Sequence, residues 1–342
     1  MNTEQLIRPN ILTLKPYSSA REEYLGAEAL MLDANENPYG LWNRYPDPFQ
    51  NQLKQKIATI KQLSPADLFL GNGSDEIIDL TFRIFCEPGV DKAICLGPTY
   101  GMYEVAAQIN NISLIEIPLD TDFDIDLAQL DAYWERRDIK LLLLCSPNNP
   151  TGNLLSAASV RKILDQFKGI VLIDEAYIDF AATGSWALEL PKYPNLIVLQ
   201  TLSKAWAMAA LRIGLAWMRP ELLKYYNKVK PPYNISTANQ EIALSLLDQS
   251  TFEQEINWLK EEQSWLIKTL TGMNGIKKVY PSSANFILVE VANANELYAR
   301  LTAQKVVIRN RHSIIPNTLR LTVGRPEENR LFIQTLKTIL NA

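Results

Sequence analysis

Between residues 92 and 218, apolar runs of four to seven residues alternate with segments of helical spacing, and this alternation restricts the fold more than any other feature of the chain. The runs are Lys92–Leu96, Ser113–Leu119, Ile139–Cys145, Gly169–Ile173, Leu196–Leu199 and Ile213–Met218. Tyr100–Asn110, Asp126–Arg137 and Ser156–Phe167, lying between them, carry apolar residues at helical intervals. A run that is apolar at successive positions reads as a strand buried on both faces, and strands linked through helices pair in parallel by crossover. The pattern predicts an α/β chain whose mostly parallel sheet carries helices on both faces. Sheets of this kind bind ligands where the carboxyl ends of the strands run out into loops.

The pattern changes after residue 250. Thr251–Met273 is a long helical stretch, with Phe252, Ile256, Leu259, Leu266 and Leu270 near a 3.6 period. Phe286–Val291, a helix over Ala294–Ala303, Val306–Arg309, Leu319–Val323 and a closing helix from Glu327 then predict a small α+β domain. A chain of 342 residues is long for one core. The expected division is a segment 1–35 packing on the small domain or over the cleft, a large domain 36–245, and a small domain 246–342. A net charge of −4 argues against nucleic acid or a polyanionic membrane as partner. Met1–Pro9 is polar and no apolar run reaches membrane-spanning length, so a cytoplasmic protein is expected. Cys86, Cys95 and Cys145 adjoin apolar runs and read as buried, reduced thiols. The single histidine, His312, leaves no histidine-ligated metal site to expect and allows a catalytic triad one candidate.

The strand ends carry the chemistry. Lys204 follows the run Leu196–Leu199 and the hydroxyls Thr201 and Ser203, and the apolar stretch Ala205–Leu211 follows it. Apolar surroundings lower a lysine pKa and make the amine competent to form a Schiff base. Asp174 ends a strand too apolar to face water, where an unpaired carboxylate is costly. A protonated pyridine nitrogen would be a fitting cation for it. Tyr177 and Asn149 can both hydrogen-bond a phenolic oxygen on such a ring, and Tyr100 can stack on its face.

Gly71-Asn72-Gly73-Ser74-Asp75-Glu76 is not a dinucleotide fingerprint, because Glu76 occupies the third glycine position and no strand clearly precedes it. It does open a helix, whose free N–H groups make an anion site that Ser203 and Arg212 can complete. Arg309, Arg311, Arg320 and Arg325 lie among apolar strand residues, and one aimed at the cleft would hold an anionic substrate group. Singly, these residues read as a surface lysine, a strand-end aspartate, a capped helix and a core tyrosine. Together they describe a pyridoxal phosphate site. No GxxxxGK[ST], HExxH or paired CxxC occurs.

The chain resembles the fold-type I, pyridoxal-phosphate-dependent aminotransferases, and within them the histidinol-phosphate aminotransferase family. The narrower resemblance rests on Asp33-Ala34-Asn35-Glu36-Asn37-Pro38, Asn43-Arg44-Tyr45-Pro46-Asp47-Pro48, Gly73–Glu76, Pro98-Thr99-Tyr100-Gly101-Met102-Tyr103, Ser146–Gly152, Asp174–Tyr177, Thr201–Lys204, and Leu319–Gly324 with Glu327-Glu328-Asn329. These span residues 30 to 330, essentially the whole chain. The resemblance implies a seven-stranded sheet. It makes Lys204 the Schiff-base and proton-shuttle residue and puts Asp174 on the pyridine nitrogen, Asn149 and Tyr177 on the ring oxygen, and Tyr100 on the ring face.

Ser203, Arg212 and the backbone at Ser74 and Asp75 would hold the cofactor phosphate. Tyr45 would reach the cofactor phosphate of a second subunit, which implies a homodimer with shared sites. Arg320, Arg309 and Tyr17 would face the substrate's anionic group. The implied reaction exchanges an amino group between histidinol phosphate and 2-oxoglutarate, giving imidazole-acetol phosphate and glutamate in histidine synthesis. Aromatic amino-acid transamination and phosphothreonine decarboxylation remain open on the same scaffold. A non-catalytic pyridoxal-phosphate-binding regulator would need a DNA-binding module, and no residues are left over for one. Two positions depart from the family pattern: Trp206 replaces a smaller aromatic, and Ala210 replaces the usual glycine.

Overall fold

A computed structural model describes residues 3–17, 30–249 and 251–340. Seven strands form the main sheet: β1 (Leu68–Asn72), β2 (Lys92–Gly97), β3 (Ser113–Pro118), β4 (Ile139–Cys145), β5 (Ile170–Asp174), β6 (Leu196–Thr201) and β7 (Ile213–Met218). Their spatial order is β1-β7-β6-β5-β4-β2-β3, and only β7 runs against the rest. Burial alternates strictly through the sheet. Leu142, Leu144, Val171, Ile173 and Val198 pack into one core, and Leu141, Leu143, Ile170, Leu172 and Ile197 into another. Helices Asn51–Lys61, Ala157–Gln166 and Thr237–Asp248 cover the first face. Ser74–Phe85, Met102–Ile109 and Pro220–Val229 cover the second. Each fully buried Leu or Ile on these faces contributes about 1.5–3 kcal/mol. Cover on both faces explains why the strands read as continuous apolar runs.

The small domain is an antiparallel sheet in the order β10-β11-β9-β8, made of β8 (Ile276–Val279), β9 (Phe286–Val291), β10 (Arg309–Asn310) and β11 (Thr318–Thr322). Helices Ala294–Ala303 and Pro326–Leu340 share its core. Phe252–Leu270 joins the two domains, with Ile256 in the large core and Leu266 and Leu270 in the small one.

Three expectations are corrected. β1 is a strand although only Leu68-Phe69-Leu70 is continuously apolar, because the antiparallel ladder to β7 supplies what the short run lacks. Asp126–Arg137 is not one helix. Leu127–Leu130 is a single 3-10 turn, and the chain continues through i+3 bonds such as Tyr133 N–H to Leu130 O and Arg136 N–H to Tyr133 O. Apolar residues at 127, 130 and 133 suit a threefold turn as well as an α-helix. The described part of the N-terminal segment lies on the large domain, not on the small domain or the cleft. Ile7 and Ile11 enter the large core, Arg8 pairs with Glu87 at 3.0 Å, and Lys228 Nζ donates to the carbonyls of Ile11 and Leu12. Residues 18–29 of the same segment lie outside the described residues.

The turn from β1 into Ser74–Phe85 is built on glycine. Gly73 has φ 80°, in the left-handed region. Gly214 of β7 pairs with Gly71, and a Cβ on Gly214 would come within 2.5 Å of the Gly73 carbonyl carbon and the Ser74 nitrogen. Backbone cannot rotate out of the way, so Gly214→Ala should lower stability by about 1–3 kcal/mol in denaturant unfolding. Gly101→Ala, which meets nothing within 4 Å, should change it by less than about 0.5 kcal/mol.

Candidate active site

The carboxyl edge of the parallel strands opens into a cleft of ≈ 350 Å³ lined by Ser74, Asp75, Tyr100, Asn149, Asp174, Tyr177, Ser203, Lys204, Arg212, Arg309 and Arg320 among others. Eleven of the thirteen residues singled out from the sequence therefore meet in one place. A larger groove of ≈ 710 Å³ lies along Pro220–Val229, but it holds none of the strand-end residues.

Asp174 is 3% exposed at the end of β5. Its Oδ2 accepts from the Tyr103 hydroxyl at 2.9 Å and its Oδ1 from the Ala176 N–H at 3.0 Å. Burial is the largest influence and pushes its pKa up to about 6, against the pull of those two hydrogen bonds. No salt bridge to it occurs among the described residues. Beside it, Asn149 Nδ2 donates to the Tyr177 hydroxyl at 3.4 Å, so both side chains present polar atoms to one spot. Lys204 follows β6, and its Nζ stands 5.7 Å from the Tyr177 ring centre. Partial burial lowers its pKa first and the Arg320 guanidinium second, while Asp174 pulls the other way. Apolar surroundings alone were expected to do this; a cationic neighbour shares the task.

The other end of the cleft is an anion cradle. Ser74 and Asp75 begin a twelve-residue helix, whose first N–H groups carry the positive end of its dipole. Arg212, at φ 53° just before β7, reaches over Gly73 and lies 3.7 Å from Asp75. The φ of 80° at Gly73 disfavours any side chain there, and a Cβ would also come within 2.7 Å of Arg212 Nη2. Tyr100 donates to Asp75 Oδ1 at 3.1 Å and packs edge-on against Tyr103, with ring centres 5.6 Å apart.

The small domain closes the cleft with arginines. Arg309 of β10 stands opposite Arg320 of β11, and Arg320 donates to Asn149 Oδ1 across the domain boundary. One residue escaped the sequence reading of the site. Tyr103 lies one helical turn beyond Tyr100, a spacing that could have placed it beside the strand-end aspartate. Of the four arginines considered from the sequence, Arg309, Arg311 and Arg320 line the cleft and Arg325 does not.

Two of the thirteen lie elsewhere. Tyr17 is 70% exposed and lines the larger groove with Lys228 and Lys230. Tyr45 is 50% exposed and stacks on Tyr233 at 4.5 Å in a separate hollow.

Comparison with known proteins matches the family Aminotransferase class I and II over residues 22–336. A histidinol-phosphate aminotransferase of Parabacteroides distasonis is 48% identical over 342 residues, covering 98% of each chain. The solved histidinol-phosphate aminotransferase from Clostridium acetobutylicum has a TM-score of 0.80 at 27% identity, over 88% of this chain and 91% of that one. The structure from Sinorhizobium meliloti, in complex with pyridoxal-5'-phosphate, shares the fold with a TM-score of 0.79 at 23% identity, over 87% of this chain and 83% of that one.

The raised pKa of Asp174 carries a sign. An unfolded aspartate ionises near 3.8 and the folded one near 6, so the folded state holds the proton longer. The contribution to stability is full below the unfolded value and is lost as pH rises through about 6. In cofactor-free protein, Asp174→Asn should therefore gain on wild type by about 2 kcal/mol between pH 4 and pH 7. A pH series of denaturant melts on both proteins measures it, and Glu175, raised to about 7 in the same way, cancels in the difference.

Proposed function

The chain belongs to the class I and II aminotransferases and, within them, to the histidinol-phosphate aminotransferase family, and we propose that it exchanges an amino group between L-histidinol phosphate and 2-oxoglutarate, giving imidazole-acetol phosphate and L-glutamate. One observation carries the proposal. Lys204 and the buried Asp174 share a cleft with a phosphate-type cradle at one end and, at the other, arginines that have no carboxylate partner among the described residues.

The residues fit pyridoxal 5'-phosphate. Asp174 is a buried carboxylate whose ionised form lacks a full counter-charge, which a protonated pyridine nitrogen supplies. Arg212, Ser203 and the N–H groups of Ser74 and Asp75 suit a phosphate monoester, in a hollow that a Cβ on Gly73 would fill. When bound, the cofactor supplies an aldehyde that accepts the amino group and a ring that takes up electrons from Cα.

The chain's own residues do the rest. Asn149 and Tyr177 would hold the ring oxygen, and Tyr100 would cover the ring face. Lys204 Nζ, with its pKa lowered, takes the proton from the substrate Cα once its amine is free and returns it on the far side of the transfer. Arg320 meets the substrate's anionic group with its planar fork, and Arg309 stands beside it. Histidinol phosphate has no α-carboxylate, so its phosphate takes the place that an amino acid's carboxylate would occupy.

The purified enzyme should be yellow, convert with histidinol phosphate and with glutamate, and turn over phenylalanine more slowly. Half-reaction rates measure this, and faster conversion with phenylalanine would favour the aromatic-transaminase reading. Borohydride should fix the cofactor to the peptide containing Lys204, and Lys204→Ala should bind cofactor yet show only background turnover. A label on another lysine refutes the site.

The working unit is a homodimer in which Tyr45 completes the cofactor-phosphate site of the second subunit. Its half-exposed position outside its own cleft supports this, as do the exposed neighbours Leu41 and Trp42. Tyr17 is assigned to the substrate's anionic end on the family resemblance, by the same route across subunits. No described helix is long and apolar enough to cross a membrane. Three buried free cysteines support a reducing, cytoplasmic setting. Tyr45→Phe subunits mixed with Lys204→Ala subunits should exceed the Tyr45→Phe homodimer in activity per active lysine, because one site of each heterodimer is intact. Sedimentation as a monomer at assay concentration would exclude the shared site.

A further inference from the structure

Two acids open the helix Ser74–Phe85, and they are engaged differently. Glu76 Oε2 accepts from the backbone N–H of Asn72 and from Asn234 Nδ2 at 2.9 Å, and Glu76 does not line the cleft. Asp75 does line it. The helix dipole favours a carboxylate in the first turn, and Glu76 already answers to it. Asp75 instead sits in the hollow where Ser203, Arg212 and the N–H groups of Ser74 and Asp75 would hold a phosphate. A like charge there weakens the binding of a dianion. An acid on that side needs another reason.

Tyr100 supplies it. Its hydroxyl donates to Asp75 Oδ1 at 3.1 Å, and its ring packs edge-on against Tyr103, with centres 5.6 Å apart. Tyr103 is buried and is itself fixed, because its hydroxyl donates to Asp174 at 2.9 Å. The Tyr100 ring is therefore held by Tyr103 along its body and by Asp75 at its tip. Burial first and the Asp75 charge second push the Tyr100 pKa above its ordinary value, so the hydroxyl keeps its proton and remains the donor. Residues 98–101, which carry the ring, belong to neither strand nor helix, so side-chain contacts set its direction.

We propose that the Asp75 side chain is a positioning group of the cofactor site: it fixes the Tyr100 ring through the hydroxyl, against a repulsion toward the phosphate that its own backbone N–H helps to hold. This rests on the ring-face placement of Tyr100 proposed above. The two effects have opposite signs and separate on substitution. Asparagine keeps an oxygen for the hydroxyl and removes the charge, whereas alanine removes both.

The test compares Asp75→Asn and Asp75→Ala, alone and in a Tyr100→Phe background. On the pyridoxal-phosphate-loaded enzyme it reads the dissociation constant of the cofactor and the circular dichroism of its visible band, which reports how the ring is held. Asp75→Asn should keep the dichroism and bind cofactor up to about fivefold tighter than wild type at low salt. That gain should shrink at about 1 M salt. Asp75→Ala should bind about threefold to tenfold more weakly than Asp75→Asn and lose visible dichroism. In Tyr100→Phe the two Asp75 variants should agree within about twofold, since no hydroxyl is left to hold. Equal behaviour of Asp75→Asn and Asp75→Ala with Tyr100 present would overturn the positioning role. So would an undiminished difference between them in Tyr100→Phe, because effects on the helix or on folding do not depend on that hydroxyl. Tighter binding by wild type than by Asp75→Asn at low salt would overturn the repulsion. Tyr100→Ala separates this role from the reading beneath it. An unchanged visible band in Tyr100→Ala would sink the ring-face placement and the role of Asp75 with it. A changed band there, with Asp75→Asn and Asp75→Ala alike, would overturn the role of Asp75 alone.

Discussion

Asp174 stands almost out of water at the end of β5, and holding a carboxylate there shapes everything around it. Ionisation at that position needs donors or a cation, since the sheet behind is apolar on both faces. The Tyr103 hydroxyl and the Ala176 amide supply two donors, which fixes how the helix Met102–Ile109 leaves β2 and how the chain turns after β5. Tyr100 then follows from Tyr103, because one helical turn and an edge-on contact set its ring at the cleft wall. The remaining charge deficit faces the cleft. A site with such a deficit is prepared for a cationic ligand before one is bound.

The central strands were legible because a strand covered on both faces must be apolar at every position, as Leu141 to Leu144 and Ile170 to Ile173 are. Residues at the ends of those strands followed directly, so Asn149, Asp174 and Lys204 could be placed in one cleft from spacing alone. β1 was not legible, since its partner β7 lies far off in sequence and supplies the ladder that its three apolar residues do not advertise. Tyr103 was missed for a related reason, since its place is defined by a neighbour in space, the buried carboxylate oxygen of Asp174. Tyr17 and Tyr45 came from family resemblance, and within one subunit they stand apart from Lys204. Ala210 departs from the family's glycine without strain, because it sits in the 3-10 turn Ala209–Leu211 and is not among the positive-φ residues.

Electrostatically the cleft is two anion sites with an amine between them. Arg212 and Asp75 are 3.7 Å apart with both side chains more than a third exposed, a weak pair that a stronger acceptor displaces easily. The arginines of the small sheet have no such partner among the described residues, and an entering anion relieves their repulsion. Lys204 feels Arg320 in the same way, and the field that attracts the substrate anion also keeps the amine closer to its neutral form. Binding and proton transfer thus draw on one charge distribution.

Trp206 ties that distribution to the hinge between domains. It lies two residues past Lys204, is 8% exposed, and stacks on Phe252 with ring centres 3.6 Å apart and planes 14° from parallel. Phe252 opens the helix that runs into the small domain. The indole N–H donates to Asp179 at 3.1 Å, and Asp179 is held by Lys61 at 2.5 Å, whose ammonium lies 5.6 Å from the Trp206 ring. A larger aromatic ring than the family usually carries therefore fits by stacking on the first turn of the connecting helix rather than by crowding the lysine. The arginine face belongs to the small domain and the lysine to the large one, and the stacked pair anchors the first turn of the helix that joins them on the large core. With Tyr177 edge-on against Phe286 and the Ser283 N–H on the Gly152 carbonyl, that anchor sets where the small sheet meets the cleft.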